Sequence, residues 1–359
     1  MKILTVIGAR PQFIKAAAVS RAFAARGDVT EVIVHTGQHF DANMSDVFFE
    51  EMEIPKPLHR LEVHSLSHGA MTGRMLEKID GIIAYEKPDY VMVYGDTNST
   101  LAGALAAKKL QIAVVHVEAG LRSFKMAMPE EVNRILTDRI SDVLYCPTDT
   151  AVSNLRREGF DHYGCRIVKS GDVMQDVARF YSARAKEYST IMEDLSLIGE
   201  KFLLSTLHRA ANTDDPARLR ELVAGLNEVA EDHTVVMPLH PRTKAALKTH
   251  GLTLGVRQID PVGYFDMVAL LSHATLVLTD SGGVQKEAYL FDSYCVIFRD
   301  ETEWVELVDH GFSVLVGADR QKMVAAVRRL IDKPFVRSAE LFGGGTAAQQ
   351  IAADLLTHA

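Results

Sequence analysis

Cysteine is scarce in this chain of 359 residues, which has only Cys146, Cys165 and Cys295. An odd number of widely spaced cysteines excludes a disulfide framework and any CxxC zinc or redox pattern. We therefore expect a reducing, cytoplasmic compartment. The first apolar run stops at Arg10-Pro11, before the core of a signal peptide could form, which agrees with that expectation.

A net positive charge and long apolar runs are also missing. The formal net charge is -8, so no general basic field would attract nucleic acid or an anionic membrane. No apolar run approaches the length of a membrane span. A hydrophobic content of 47% is ordinary for a soluble globular protein. We expect neither nucleic acid nor membrane as a partner, and any anion site must be built locally.

The common short motifs of cofactor and metal chemistry are absent as well. The sequence has no GxGxxG nicotinamide fingerprint, no GxxxxGK[ST] phosphate loop and no HExxH metal motif. A GxSxG nucleophile elbow is missing too. We therefore expect no cofactor and no metal, and proton transfer or elimination on a phosphate-bearing substrate becomes the favoured chemistry.

Short apolar runs alternate with helical stretches along most of the chain, which predicts an α/β protein with doubly wound parallel sheets. The alternation weakens over the polar residues 179–200, which we interpret as a linker. The prediction is two Rossmann-like domains, residues 1–180 and 181–345, with a deep cleft between them. Residues 346–359 form a last helix after the Gly343–Gly345 break.

Polar residues follow the ends of several predicted strands. Asp96 and Glu118 each come directly after an apolar run, and Glu130 lies in the first turn of a helix that begins at Pro129. Ligands bind at the carboxyl ends of parallel strands, so these carboxylates are candidates for acid–base catalysis. Spacing alone equally allows Asp96 and Glu118 to cap loops and Glu130 to be an ordinary first-turn acid.

Basic and glycine-rich turns provide candidate anion sites. Arg10 and Lys15 flank the first strand-to-helix turn, although a solvated basic pair would look the same. His208 follows a later strand and suits phosphate binding or proton transfer, or else a simple loop hydrogen bond. Ser281-Gly282-Gly283 opens a helix whose amides and dipole favour an anion, and a plain capped turn is the alternative.

Taken together, these segments resemble the family of non-hydrolysing UDP-N-acetylglucosamine 2-epimerases. The resemblance covers nearly the whole chain, in the order of the family, through Gly8-Ala-Arg-Pro11, His35-Thr-Gly-Gln-His39, Tyr94-Gly-Asp-Thr-Asn-Ser-Thr100, His116-Val-Glu-Ala-Gly-Leu-Arg122, Pro129-Glu-Glu-Val-Asn-Arg134, His208-Arg209 and Thr279-Asp-Ser-Gly-Gly283. It implies a fold similar to glycosyltransferases of the B type, with helix 346–359 packed back on the first domain. It also implies a homodimer that takes part in surface-polysaccharide biosynthesis.

Within the family, the chain is most similar to the branch acting on UDP-2,3-diacetamido-2,3-dideoxyglucuronate. The supporting segments include Gly171-Asp-Val-Met-Gln-Asp176, Asp260-Pro-Val-Gly-Tyr264 and Arg299-Asp-Glu-Thr-Glu-Trp304. Phe40-Asp41 replaces a polar, basic continuation that is usual beside the activator site of some members. Ala211 stands where an acid is usual. UDP-N-acetylglucosamine itself remains the alternative substrate, and a hydrolysing epimerase or a B-type glycosyltransferase are rival activities.

The resemblance also implies roles for single residues. The positions that match catalytic residues of the family are Asp96, Glu118, Glu130 and His208. The positions that match UDP-binding residues are Arg10, Lys15, Arg134, Ser281, Gly282, Gly283 and Glu287. Epimerisation at C2 without nicotinamide is expected to proceed by elimination of UDP to a 2-acetamidoglucal, followed by its re-addition. A glucuronate substrate would also need a cation for its carboxylate, for which the sequence offers Arg74, Arg122, Lys125 and Arg209.

Overall fold

The computed structural model describes residues 1–38, 49 and 53–358. The chain divides into two compact units. Unit 1 comprises Met1–Val177 together with Leu341–Ala359, and unit 2 comprises Ala178–Glu340. Unit 1 is therefore made from two separate segments of the chain, whereas unit 2 is continuous.

Unit 1 is built on a seven-stranded parallel sheet with strand order β3-β2-β1-β4-β5-β6-β7. Its strands are β1 (Lys2–Ile7), β2 (Thr30–His35), β3 (His59–Arg60), β4 (Tyr90–Tyr94), β5 (Ala113–Val117), β6 (Val143–Cys146) and β7 (Arg166–Lys169). Its helices are α1 (Arg10–Arg26), α2 (His68–Glu86), α3 (Asn98–Lys109), α4 (Pro129–Ile140) and α5 (Asp149–Arg157), followed by a 3₁₀ turn (Phe160–His162) and by α6 (Val173–Tyr188), which runs into unit 2.

Unit 2 repeats this plan with a six-stranded parallel sheet of order β10-β9-β8-β11-β12-β13. Its strands are β8 (Leu203–Thr206), β9 (Val235–Pro238), β10 (Arg257–Ile259), β11 (Leu276–Thr279), β12 (Tyr294–Ile297) and β13 (Ser313–Leu315). Its helices are α7 (Ile191–Asp194), α8 (Ala210–Thr213), α9 (Pro216–Asp232), α10 (Pro241–Thr249), α11 (Tyr264–His273), α12 (Gly282–Leu290), α13 (Val305–Asp309) and α14 (Arg320–Leu330). The last helix, α15 (Ala347–Thr357), belongs to unit 1.

Burial explains why these segments adopt their structures. The central strands are covered on both faces, so they read as continuous apolar runs, and Val91, Met92 and Val93 of β4 are fully buried. Helix α2 buries Met71, Met75, Ile79 and Ile83, which are spaced by four residues and form one apolar stripe. The predicted fold class, an α/β protein with two doubly wound parallel sheets, is confirmed.

Helix α15 is fixed to unit 1 by polar contacts at both ends. The carboxylate of Asp176 accepts hydrogen bonds from the amides of Ala347 (3.1 Å) and Ala348 (3.0 Å), which satisfies the first turn of the helix. Near its other end, the carboxylate of Asp354 accepts a hydrogen bond from the Tyr145 hydroxyl at 2.6 Å. The returning chain passes so close to Gly171 that an added Cβ there would lie 2.7 Å from the Phe342 carbonyl.

Three local predictions differ from the structure. Residues 179–200, interpreted as a linker, contain the second half of α6 and the short helix α7. The turn predicted at Gly8–Pro11 is shorter, because α1 already begins at Arg10, with proline in its first turn. The two-residue strand β3 was not predicted.

Some sequence predictions fall on residues that the structure does not describe. The sequence of residues 44–52 also predicts a helix. That segment lies outside the described residues apart from Phe49, which is helical, and so does the departure at Phe40-Asp41. Among the described residues, no helix has both the length and the apolar character needed to cross a membrane.

Candidate active site

The order of strands reverses once in each sheet, and candidate residues follow the strands on both sides of each reversal. In unit 1 the reversal lies between β1 and β4, which are followed by Arg10 and Asp96. In unit 2 it lies between β8 and β11, which are followed by His208 and Ser281. Ligands of open α/β sheets bind at such reversals, so both sheets present their candidates where this topology predicts a site.

Glu118 directly follows β5 and has an unusual backbone. Its φ of 73° lies in the left-handed region, which is uncommon for a residue with a side chain. The amides of Glu118 and Ala119 both donate to the Tyr145 carbonyl, at 3.1 and 3.0 Å, and so hold the chain in this conformation. Strain of this kind persists where surrounding structure enforces it, and it concentrates at functional sites.

The Glu118 carboxylate forms an ion pair and hydrogen bond with the ammonium of Lys15 from α1. Both side chains are largely buried, with 7% and 13% exposure. Gly95 passes close beside this pair with a φ of 64°, and a Cβ at Gly95 would lie 3.2 Å from Glu118 Oε2. Glycine is therefore favoured here by conformation, and a side chain would also crowd the Glu118 carboxylate.

Asp96, the residue after Gly95, is linked to helix α4. Arg134 Nη2 lies 3.4 Å from Asp96 Oδ2, and Arg134 Nε lies 3.0 Å from Glu131 Oε2. The Asn133 side chain donates to the Asp96 carbonyl at 3.0 Å. Each of the two candidate carboxylates that follow strands of sheet 1 thus has its own basic partner, Lys15 for Glu118 and Arg134 for Asp96.

The two adjacent acids at the start of α4 have different environments. Glu131 is fully buried, and its carboxylate accepts hydrogen bonds from the Ser123 amide (2.9 Å), the Ser123 hydroxyl (3.0 Å) and the Phe124 amide (2.8 Å). It therefore holds the loop between β5 and α4. Glu130 is exposed, and its side chain makes no hydrogen bond or ion pair within residues 1–38, 49 and 53–358. Of the two, only Glu130 is available to a substrate.

Arg10 opens α1 and is partly exposed. Behind it, the Gln12 side chain fixes the turn after β1, because its oxygen accepts from the Gly8 and Ala9 amides at 2.9 and 3.0 Å. The Gln12 amide group donates to the Tyr94 carbonyl at 2.9 Å. One buried side chain therefore joins the two turns on either side of the reversal in sheet 1.

In unit 2, the buried Asp280 holds the loop that carries His208. Its carboxylate accepts from the amides of His208 (3.1 Å) and Arg209 (2.9 Å) and from the Asn212 side chain (3.1 Å). His208 Nδ1 lies 3.4 Å from Asp280 Oδ1, and the His208 and His240 rings are 5.4 Å apart. Burial and the neighbouring His240 lower the pKa of His208 despite the attraction of Asp280.

The start of α12 presents backbone amides beside small side chains. Ser281 is the N-cap, and its hydroxyl accepts from the Val284 amide at 3.5 Å. Gly283 is exposed, whereas Gly282 is buried so closely that a Cβ there would lie 2.2 Å from Glu303 Oε1. Glu287, one turn further along, is buried. An anion placed at this helix start would meet free amides and the positive end of the helix dipole.

The structure separates the cations considered for a substrate carboxylate. Arg122 is buried and occupied by Asp138 (2.7 Å) and by a two-pronged pair with Glu158 (2.7 and 2.8 Å). Arg74 pairs with Glu77 on the surface of α2 at 3.1 Å. Arg209 is partly exposed and has its Nη2 3.6 Å from the Cβ position of Gly282. Arg209 therefore lies at the start of α12.

Several residues at these strand ends were not singled out from the sequence. Glu131 and Asp280 hold loops, and Asp138 lies beneath the strand ends with His116. Apart from the pair of Glu131 with Arg134, three residues later, local spacing does not signal them, because the loops and the histidine that they hold are 7 to 72 residues away. In the described part of the chain, no group of three or more His, Cys, Asp or Glu side chains is arranged to hold a metal ion.

Comparisons with known proteins show the family of the chain. The sequence profile described as UDP-N-acetylglucosamine 2-epimerase matches residues 21–356, so the chain belongs to the UDP-N-acetylglucosamine 2-epimerase family of isomerases. A UDP-2,3-diacetamido-2,3-dideoxy-D-glucuronate 2-epimerase of Pseudomonas aeruginosa is 56% identical over 353 residues, which is 98% of each chain.

Two solved structures share the fold along the whole chain. The Methanocaldococcus jannaschii UDP-GlcNAc 2-epimerase, crystallised with UDP-GlcNAc and UDP, matches with a TM-score of 0.91 and 40% identity over 100% of both chains. The Neisseria meningitidis UDP-GlcNAc 2-epimerase bound to UDP-GlcNAc matches with a TM-score of 0.89 and 30% identity, over 99% of this chain and 100% of that one. The predicted family is confirmed.

Proposed function

We propose that this chain is a non-hydrolysing C2 epimerase of UDP-2-acetamido sugars that converts UDP-2,3-diacetamido-2,3-dideoxyglucuronate to its mannuronate epimer. The observation that carries this proposal is the pairing of two carboxylates with two cations at the strand ends of sheet 1. High identity to the Pseudomonas aeruginosa protein supports the choice of sugar.

The reaction begins with removal of the C2 proton by a base, while the C1–O bond to UDP breaks. The products of this half are a 2-acetamidoglucal and UDP. A proton is then delivered to the opposite face of C2, and UDP re-adds at C1. Two faces require an acid and a base, and Asp96, Glu118 and Glu130 supply three carboxyl groups for these transfers.

Departure of UDP requires that the charge on its diphosphate be stabilised as it develops. We assign this work to the Ser281 hydroxyl, to the amides of Gly282 and Gly283, to His208 and to Arg10. Neutral His208 donates a hydrogen bond and gains a proton readily when a dianion lies beside it.

Lys15 and Arg134 carry positive charge beside the carboxylates of Glu118 and Asp96. Glu287 offers a carboxylate that can accept hydrogen bonds from the two hydroxyls of a ribose. In the structure Lys15 and Arg134 pair with Glu118 and Asp96. We assign both cations to UDP binding, as the resemblance implies, beside carboxylates that transfer protons.

For the substrate carboxylate, Arg209 is the candidate that its surroundings favour. Among the described residues its side chain makes no ion pair, while Arg122 and Arg74 are each paired with acids. A guanidinium group can also bind a carboxylate through two parallel hydrogen bonds.

The decisive experiment follows each sugar nucleotide by NMR in deuterated water. Purified protein receives UDP-2,3-diacetamido-2,3-dideoxyglucuronate or UDP-N-acetylglucosamine. We expect epimerised product that carries deuterium at C2 and still carries UDP, with faster turnover of the glucuronate. Product without deuterium would refute elimination. Release of free sugar would identify a hydrolysing epimerase, and a requirement for an acceptor would identify a glycosyltransferase.

We further propose that the protein acts as a cytoplasmic homodimer. Few cysteines and negative net charge support the compartment. Light scattering of the purified protein would test the assembly, and a monomer with full activity would contradict it.

A further inference from the structure

A charged pair lies beneath the strand ends of sheet 1 and has no part in the steps described so far. His116, in β5, and Asp138, in α4, are both fully buried. His116 Nδ1 is 2.7 Å from Asp138 Oδ1, and His116 Nε2 is 2.7 Å from the Gly95 carbonyl oxygen. A buried histidine with two such short contacts is fixed in both position and ring orientation.

Both ring nitrogens of His116 therefore face oxygen atoms. The Gly95 carbonyl can only accept, so Nε2 carries a proton. The Asp138 carboxylate also accepts from Arg122 Nη1 (2.7 Å) and from the Gly120 amide (3.1 Å). Burial alone would raise the pKa of Asp138, but His116 and Arg122 outweigh burial and lower it. An ionised Asp138 can only accept, so Nδ1 donates as well.

These hydrogen bonds reach the backbone on both sides of the candidate carboxylates. Gly95 immediately precedes Asp96, and its amide donates to the Val117 carbonyl at 3.0 Å. Gly120 lies two residues after Glu118, and Asp138 accepts from its amide. One histidine–carboxylate pair thus connects the turn of Asp96 with the turn of Glu118.

We propose that His116 is a positioning residue for epimerisation, which donates from both ring nitrogens and so fixes the Gly95–Asp96 peptide relative to Glu118. This inference rests on the proposed function. His116 is fully buried and acts through Gly95, not on the sugar. Proton transfer depends steeply on geometry, and a displacement of about 1 Å can cost on the order of 100-fold in rate.

Each of two substitutions keeps one of the two hydrogen bonds of His116. The amide nitrogen of His116→Gln reaches the place of Nε2 and keeps the bond to Gly95, while that of His116→Asn takes the place of Nδ1 and keeps the bond to Asp138. We expect kcat to fall about 100-fold in His116→Asn and about 10-fold in His116→Gln, with KM within about twofold in both.

The matched control is Thr5→Val. It removes the hydrogen bond of 2.6 Å that the hydroxyl of the fully buried Thr5 in β1 donates to Glu31, and Thr5 belongs to neither turn. We expect its melting temperature to fall about as far as in the His116 variants, with kcat within about twofold of the wild type. Equal kcat in the two His116 variants, or a loss of kcat in all three that follows only the melting temperature, would overturn the positioning role.

A spectroscopic readout does not depend on turnover. In wild-type protein labelled with ¹⁵N-histidine, we expect both ring nitrogens of His116 to be hydrogen-bond donors, with the resonances assigned by their loss in His116→Gln or His116→Asn. A ring with one bare nitrogen would overturn the inference. Absence of epimerisation by the wild type would refute the proposed function instead, and the spectrum would still decide the state of His116.

Discussion

The strand ends of the two sheets offer opposite chemistry on the same topology. In unit 1, the acids Glu118 and Asp96 are presented with basic partners, Lys15 and Arg134. In unit 2, the acid Asp280 is fully buried and its carboxylate accepts hydrogen bonds from backbone amides. The groups available to a ligand there are the capped start of α12 and His208. The fold sets where ligands meet each sheet, and the residues after the strands decide which charge is received.

The two proposed sites also differ in backbone strain. Glu118 has a φ of 73°, whereas Ser281 at the start of α12 has an unstrained φ of -81°. Strain thus occurs where we propose proton transfer, and a regular helix start occurs where we propose diphosphate binding. A base must be aimed at one C–H bond, while amides at a helix start bind an anion without distortion.

We expect the largest loss of kcat from a substitution of a proposed catalytic carboxylate in unit 1. Glu118→Gln keeps the shape of the side chain but cannot take a proton, so we expect kcat to fall about 10³-fold with UDP affinity nearly unchanged. Turnover by NMR and UDP binding by calorimetry would measure both.

Glu86→Gln is the matched control for this substitution. Glu86 is also 7% exposed, and it pairs with Lys2 at 2.6 Å in the same unit. We expect kcat of this variant to stay within about twofold of the wild type, because a lost pair of this kind acts on stability. Near-normal turnover by Glu118→Gln would remove that residue from the mechanism.

An intermediate effect is expected from the anion-binding side. In Gly282→Ala the new Cβ would meet Glu303, which is itself paired with Arg299 at 2.9 Å, so either the Glu303 side chain or the start of α12 must shift. We expect the Kd for UDP to rise about 10-fold, a loss comparable to one hydrogen bond.

Gly263→Ala provides the control, since this glycine also precedes a helix of unit 2 and its Cβ would come no closer than 3.9 Å to Asp266. Its Kd for UDP should match that of the wild type. If Gly282→Ala binds UDP as tightly as Gly263→Ala does, the start of α12 is not the diphosphate site.

The smallest effect concerns the response of the two units to acid. Burial and the charge of Arg60 lower the pKa of His35 in unit 1 to about 4, and His35 Nδ1 accepts from the Gly37 amide at 2.8 Å. The unfolded chain takes up this proton near pH 6.5, so stability should fall as the pH drops from 6.5 to about 4 and then level off.

His35→Asn keeps an acceptor for Gly37 but cannot titrate. We expect calorimetry to show that it removes about a few degrees of the acid-induced loss in melting temperature. Burial also lowers the pKa values of His208 and His240 in unit 2, so part of the loss should remain. An unchanged pH dependence in His35→Asn would show that the acid response arises elsewhere.

Much of this arrangement could be predicted from the sequence, because local signals specify it. The apolar runs that precede Asp96, Glu118 and Ser281 predicted the strands. Parallel strands place their carboxyl ends on one edge of the sheet. The second half of helix α6 was interpreted as a linker because its sequence is polar. A polar stretch can still form a helix when one face packs, and Val177, Tyr181 and Ala185 of α6 are buried.

The contacts that decide roles could not be predicted in the same way. Glu130 and Glu131 are adjacent and chemically identical, yet one is exposed and the other is buried against the loop of Ser123 and Phe124. Which of them faces inward depends on the rotation of α4. The pairing of His116 with Asp138 likewise joins a strand to a helix 22 residues away, and only tertiary packing creates it.

The return of the chain to unit 1 affects the order in which the protein can be assembled on the ribosome. Unit 2 is complete once residue 340 has been synthesised, but unit 1 still lacks Leu341–Ala359 at that moment. The carboxylate of Asp176 then waits without the amides of Ala347 and Ala348. Most of unit 1 is therefore translated first, but unit 1 is completed last. Premature termination within the final 19 residues would remove part of the segment that completes unit 1.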